Sequence, residues 1–316
     1  MDPMILLFGL GLLALVLLPY LPAAAEWHRR LDATAMHVAE DYAETAAPAA
    51  VHTHDAGWTV DGRHGEPTHA AGDVTTRPDA ALTAVRAGGS LSLACGTTVV
   101  RHAHAAEHLR VGRDCTLHGS VSADGTATIG AGTQFERLAG SALFLGAAHQ
   151  QTPRPPARAR FEPAPRRDET GRYVVQGDLD VPDGALVGGT VVASGDIRLG
   201  AGARIDGDAR AGGDLALADG ATVGGHAFAD RAIALGAHAA VDGVVVARRR
   251  LSLGAHARVG RHDALATATA DTVRVTPGAI VYGTLWARAD GRIEALPETA
   301  AQPPRAVEST PSVRTA

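Results

Sequence analysis

Ile197-Arg198-Leu199-Gly200-Ala201-Gly202-Ala203-Arg204-Ile205-Asp206-Gly207-Asp208-Ala209-Arg210-Ala211-Gly212-Gly213-Asp214 runs directly into Leu215-Ala216-Leu217-Ala218-Asp219-Gly220-Ala221-Thr222-Val223-Gly224-Gly225-His226-Ala227-Phe228-Ala229-Asp230-Arg231-Ala232. Set one above the other, these eighteen-residue lines place Ile197 over Leu215, Leu199 over Leu217, Ala203 over Ala221 and Ile205 over Val223. Ala209 falls over Ala227 and Ala211 over Ala229. The apolar positions come in pairs two residues apart, which is the alternation of a strand with one buried face. Three such pairs per line, separated by breaks rich in Gly and Asp, describe three short strands joined by three corners. Self-similarity at a short fixed period is the mark of a solenoid.

The repeat extends in both directions. Rows begin at Leu179, Ile233 and Leu251, and at Val273 after a four-residue slip. Upstream they begin at Leu91, Leu109 and Ala127, and an interrupted row starts at Leu143 and resumes over Tyr173–Asp178. Leu199, Ile205, Leu217 and Val223 thus belong to inward columns that Leu235, Val241, Val273, Val275, Val281 and Leu285 continue. The expectation is an all-β, three-faced parallel β-helix of about ten eighteen-residue turns over residues 84–295, roughly 48 Å long at about 4.8 Å per turn. Periodicity does not choose its hand.

One column marks a corner. It reads Gly96, Asp114, Gly132, Gly184, Gly202, Gly220, His238, His256 and Gly278, the residue set a backbone position with positive φ selects. His238 and His256 fall one row apart, so they would stack about 4.8 Å from each other. Two tolerated corner residues explain the pair more simply than a metal ladder. A second glycine column, at Gly119, Gly189, Gly207, Gly225, Gly243 and Gly283, marks another corner. Arg248-Arg249-Arg250 falls at the third.

Composition agrees with a narrow layered core. Hydrophobic residues make up 46% of the chain but aromatic residues only 4%, with 37 glycines, so Ala, Val and Leu must fill the interior. A formal charge of −5 offers no overall polycation, and nucleic acid is not an expected partner. Cys95 and Cys115 lack metal-ligand spacing, and Cys115 stands where other rows carry Ala, as a buried thiol would. Neither a phosphate-binding loop, a nucleophile elbow nor an H-E-x-x-H stretch occurs. No catalytic, cofactor or metal residue is therefore assigned.

Outside the repeat, Met4–Leu21 is an uncharged run that as a helix would span roughly 27 Å. No Lys or Arg precedes it, while Arg29 and Arg30 follow it. That favours an uncleaved single-pass anchor at 1–24, with the C-terminal part in the cytoplasm, over a secretory signal ending near Ala23-Ala24-Ala25. Residues 25–83 read as a tether with one short helix over Asp32–Glu44 and one strand-like fragment, Trp58-Thr59-Val60. Residues 152–172 form a Pro-rich insertion carrying Arg154, Arg158, Arg160, Arg166 and Arg167 with one aromatic, Phe161. It is read as a loop that meets either solvent or an anionic lipid or acidic partner. Residues 296–316 read as a disordered tail.

Stretches such as Gly220-Ala221-Thr222-Val223-Gly224-Gly225-His226-Ala227-Phe228-Ala229 and Thr272-Val273-Arg274-Val275-Thr276-Pro277-Gly278-Ala279-Ile280-Val281-Tyr282-Gly283-Thr284-Leu285 resemble the bactofilins, the bacterial polymer-forming cytoskeletal proteins. The likeness is good over Tyr173–Asp290 and weaker over Val85–Gln151. It implies a right-handed β-helix, non-polar filaments formed without nucleotide, and a scaffold at the inner membrane for envelope or cell-shape machinery. It carries over no catalytic residue. The rows reach the same expectation independently: with no amphipathic helix abutting either end, the outermost turns would expose strand edges and add end to end. The competing class is a hexapeptide-repeat acyltransferase, whose left-handed coil also advances eighteen residues per turn. It would need an imidazole base in a cleft, with His104, His118 and His226 as candidates.

Overall fold

The computed structural model describes residues 52–146, 159–161 and 172–295. Every regular element in them is a β-strand, most only two to four residues long. Alternation inside these strands decides which side chain goes inward. Leu179–Val181, Ile197–Leu199 and Leu215–Leu217 each bury their outer two residues and leave the middle one less covered. Within residues 173–259 each strand pairs in parallel with the strand eighteen residues away: Ile197 with Leu215, Ile205 with Val223, Ala209 with Ala227. The chain is thus an all-β parallel solenoid of about twelve turns. Leu199, Ile205, Leu217, Val223, Leu235, Val241, Val273, Val275, Val281 and Leu285 all lie in its core, none more than 3% exposed.

Corners are closed by side chains. Asp178, Asp196 and Asp214 each accept, through Oδ1, the backbone N–H of the residue one turn later, at 2.8, 2.8 and 3.0 Å. Asp183 and Asp219 do the same at another corner, for Ala201 and Ala237. These bonds satisfy donors that would otherwise be left where the strand ladder breaks. At the predicted corner column every residue has positive φ, including Asp114 at 56° and both His238 and His256 at 57°. The second glycine column is mixed: Gly119, Gly189 and Gly283 also have positive φ, whereas three of its members are glycine for a different reason. Gly207, Gly225 and Gly243 are not in the left-handed region. A Cβ on Gly225 would stand 2.2 Å from Asp208 Oδ1, and one on Gly243 2.6 Å from His226 Nδ1. The ladder side chain of the preceding turn occupies that space.

Three expectations are corrected. The coil starts earlier than residue 84. His52–His54, Trp58–Val60, Arg63–His64, Thr68–Ala70 and Val74–Thr76 are all strands of the stack, so the described part of the presumed tether is solenoid. Its rows are shorter, pairing His52 with Thr68 and Trp58 with Val74 at a spacing of sixteen, and Val74 with Leu91 at seventeen. Second, the 152–172 insertion is not wholly a loop. Ala159–Arg160 pairs with Ala185–Leu186, and Phe161 packs on the core; Arg154, Arg158, Arg166 and Arg167 lie outside the described residues. Third, Leu143 and Tyr173 do not share one interrupted row. Leu143–Leu145 closes one stack and Tyr173–Val175 opens another.

The two stacks meet head on. Strand Gln134–Gly146, the last turn of the first stack, pairs antiparallel with Ala279–Ile293, the last turn of the second. The four-residue slip sits just before this joint, as an excursion bridged between Arg261 and Ala264 that leaves Leu265 62% exposed. Among the described residues no helix is long and apolar enough to cross a membrane. Met4–Leu21, Asp32–Glu44 and the tail 296–316 lie outside them.

Candidate functional site

A solenoid turn satisfies its backbone through the turns on either side, so a terminal turn presents a row of open N–H and C=O groups and an apolar core cross-section. At the joint, two such ends satisfy each other. Gln134 pairs with Arg292, Leu138 with Leu285, Gly140 with Gly283 and Leu145 with Ala279. Gly132 N–H donates to the Ile293 carbonyl at 3.0 Å, Ile293 N–H to Thr133 at 2.9 Å and Gly278 N–H to Leu145 at 2.7 Å. The pairing involves all three faces of the turn.

The side chains complete the seal. Leu138, Leu143 and Leu145 from one stack face Val281, Leu285 and Ile293 from the other, and none of the six is more than 1% exposed. Gly291 passes so close to its partner that a Cβ there would lie 2.5 Å from the Phe135 carbonyl oxygen and 2.6 Å from the ring. Outside the core, the Arg137 guanidinium stands 5.7 Å over the Trp286 ring, a cation–π contact across the joint. Val273, Val275, Val281 and Leu285 therefore do not form an open end, contrary to expectation. Gly291 and Ile293 of the same stack's last turn lie over Val273 and Val275, and the first stack covers Val281 and Leu285.

Because both stacks contribute their C-terminal turn, the turns farthest from the joint among the described residues are both N-terminal turns. One consists of His52–His54, Trp58–Val60 and Arg63–His64, whose ladder pairings run only inward, to the Thr68–Ala70, Val74–Thr76 and Ala81–Ala87 strands. The other holds Ala159–Arg160 with Phe161, Tyr173–Val175 and Leu179–Val181. Trp58 and Phe161 are each partly buried against the core, one aromatic plug at either end. Sequence rows missed this arrangement. Only the loss of period after Gly146 hinted at it.

The remaining candidates are placed as follows. His238 and His256 stack with ring centroids 4.9 Å apart and planes 17° from parallel, the spacing their rows require. His104 and His118 sit on the first stack and His226 on the second. His104 Nδ1 lies 3.0 Å from Ser122 Oγ, but its Nε2 is 3.9 Å from Asp124, too far for a hydrogen bond. The strand carrying Ser122 has its backbone committed to ladders on both sides, so it offers no free amide pair for an oxyanion. His118 Nδ1 is 3.8 Å from Glu136, and His226 Nδ1 accepts the Val244 N–H at 2.9 Å as part of a corner ladder. Cys115 is buried, its thiol donating to the Ala94 carbonyl at 3.2 Å, while Cys95 is exposed. Burial, above all, pushes the Cys115 thiol up to about 11. Among the described residues no group of three or more His, Cys, Asp or Glu is placed to hold a metal. Of protein-family models, curated proteins and solved structures, none matches this chain.

Proposed function

We propose that this protein is a self-assembling bacterial scaffold, held at the inner membrane by Met4–Leu21, whose β-helix ends pair with the ends of further copies. The observation that carries the reading is the joint itself. Within one chain, a coil end of this sequence already binds another coil end by antiparallel strand pairing along a whole turn. The N-terminal turns of the two stacks, His52–His64 and Phe161–Val181, are the ends that the proposal assigns to pairing between copies. Pairing those ends between copies repeats the internal geometry and extends the stack as a filament without nucleotide. In this proposal like ends pair with like, so successive chains alternate in direction and the polymer has no polarity. The coil is right-handed in this proposal, as in the bactofilins that the sequence resembles. Its partners are copies of itself and envelope-synthesis proteins gathered at the membrane surface; the proposal requires no cofactor.

Negative-stain microscopy of the full chain in mild detergent, at pH 8 and rising concentration, tests this directly. Unbranched rods whose length grows with concentration and does not depend on added nucleotide are expected. Particles that stay the size of one chain throughout would sink the proposal.

A further inference from the structure

The N-terminal turns of the two stacks are not alike. In the first stack, His52 and His54 stand in register with Thr68 and Ala70, which in turn stand over Val85 and Ala87. His64 stands over Leu82. The terminal turn therefore carries imidazoles at three positions that deeper turns fill mainly with small or aliphatic side chains. They form one cluster around Trp58. His54 stacks on the Trp58 ring at 4.7 Å, and His64 meets it edge-on at 4.9 Å. His52 and His64 are 6.0 Å apart. His64 Nε2 is covered and has no hydrogen-bond partner. The N-terminal turn of the second stack instead carries Phe161, Tyr173, Val175, Leu179 and Val181, the last four no more than 6% exposed.

We propose that the histidine-lined end of the first stack is a docking surface for a second copy of this chain, open to docking when its imidazoles are neutral and closed when they are protonated. The inference rests on the scaffold reading and adds to it which end is regulated and by what. The occupant is a second copy because the internal joint shows what this sequence does with a coil end, and because the strand edges of this turn are unpaired among the described residues. A joint of that kind buries the whole cross-section of the turn. Neutral imidazoles and an indole can enter it, whereas burying a charged group without a partner costs several kcal/mol on the order of magnitude. An imidazole changes charge between about pH 5 and 8.

The surrounding charges do not compensate three cations. Glu66 pairs with His52. Asp61 is engaged with Arg77, and the Asp73 carboxylate accepts the Ser90 N–H one turn away. Asp55 is exposed. The strands packed beneath add positive charge or none: His69 lies beside Thr53 in register, Arg86 beside His69, and the Val74–Thr76 strand has no ionisable group. Arg63 adds another cation on the turn itself. Protonation thus leaves this end with excess positive charge facing an identical or apolar partner.

The full chain in mild detergent is examined by sedimentation and microscopy at pH 8 and pH 5. The concentration needed for filaments should rise at least about tenfold at the lower pH, the factor that one pKa unit of linkage supplies. The triple variant His52→Val, His54→Ala, His64→Leu, which installs residues from deeper turns, should assemble with less than about a twofold difference between the two pH values. In a Trp27→Phe, Trp286→Phe background, quenching of Trp58 should follow the same pH dependence. Filaments equally abundant at pH 5 and 8 would overturn the gate and leave the scaffold standing. Absence of filaments at both would overturn both. Unchanged pH dependence in the triple variant would place the gate elsewhere and refute this assignment.

Discussion

Truncating Leu138 and Leu285 singly and together isolates the internal joint. The two residues belong to different stacks, stand opposite each other in the antiparallel register and are 1% and 0% exposed. Leu→Ala in a packed core costs about 2–5 kcal/mol, of which part is the cavity left behind. If the stacks meet as described, the second truncation enlarges a cavity already open, and a Leu–Leu contact is lost only once. The pair should then be non-additive by about 1 kcal/mol, within the range of roughly 0.5–3 kcal/mol seen for residues in contact. Leu199→Ala and Leu253→Ala provide the control. They share a column but lie three turns apart, about 14 Å, and should add to within about 0.5 kcal/mol. Urea unfolding followed by fluorescence of Trp286, which sits at the joint, gives the four free energies. Additivity of Leu138 and Leu285 to within about 0.3 kcal/mol, with each single change destabilising, would mean that the two stacks do not share a core.

Two further outcomes follow from the side chains. At pH 8 a thiol reagent should label Cys95 quickly and Cys115 only after denaturation, because the buried Cys115 thiol is pushed up to about 11 and holds almost no thiolate; rapid labelling of both in the folded chain would contradict its placement. Asp196 is held below the usual carboxylate range, first by the Asp214 N–H and then by Arg231. A lowered folded value means that its stabilisation is complete above about pH 4, the unfolded value, and disappears as pH falls through the folded one. The melting temperatures of wild type and Asp196→Asn should therefore converge between neutral pH and strong acid; a gap that widens on acidification would refute the assignment.

Much of the architecture was legible because each eighteen-residue row states its own inside and outside. Pairs such as Ile197 and Leu199 or Ala203 and Ile205 bury as their alternation requires, and the corner column announced positive φ through Gly, Asp and His alone. The first turns escaped notice for two physical reasons. Their corners are one or two residues shorter, so a ruler of eighteen loses them. Their inward positions also hold His52, His54 and His64, which do not read as a core. Phe161 was hidden among arginines and prolines, although its strand pairs like any other.

The sequence by itself determined the turn: three strands, three corners, an aliphatic interior and the His238–His256 stack, since all of these depend on side-chain alternation and local backbone sterics. Only the tertiary structure decided how the turns are ordered in space. A row presents the same edge of N–H and C=O groups and the same core cross-section whether the next turn arrives parallel or antiparallel. Nothing in the repeat therefore distinguishes one continuous coil from two coils joined at their C-terminal turns. That choice is made by contacts far apart in the chain, Leu138 on Leu285 and Gly291 under Phe135, and it leaves the two N-terminal turns farthest from the joint among the described residues.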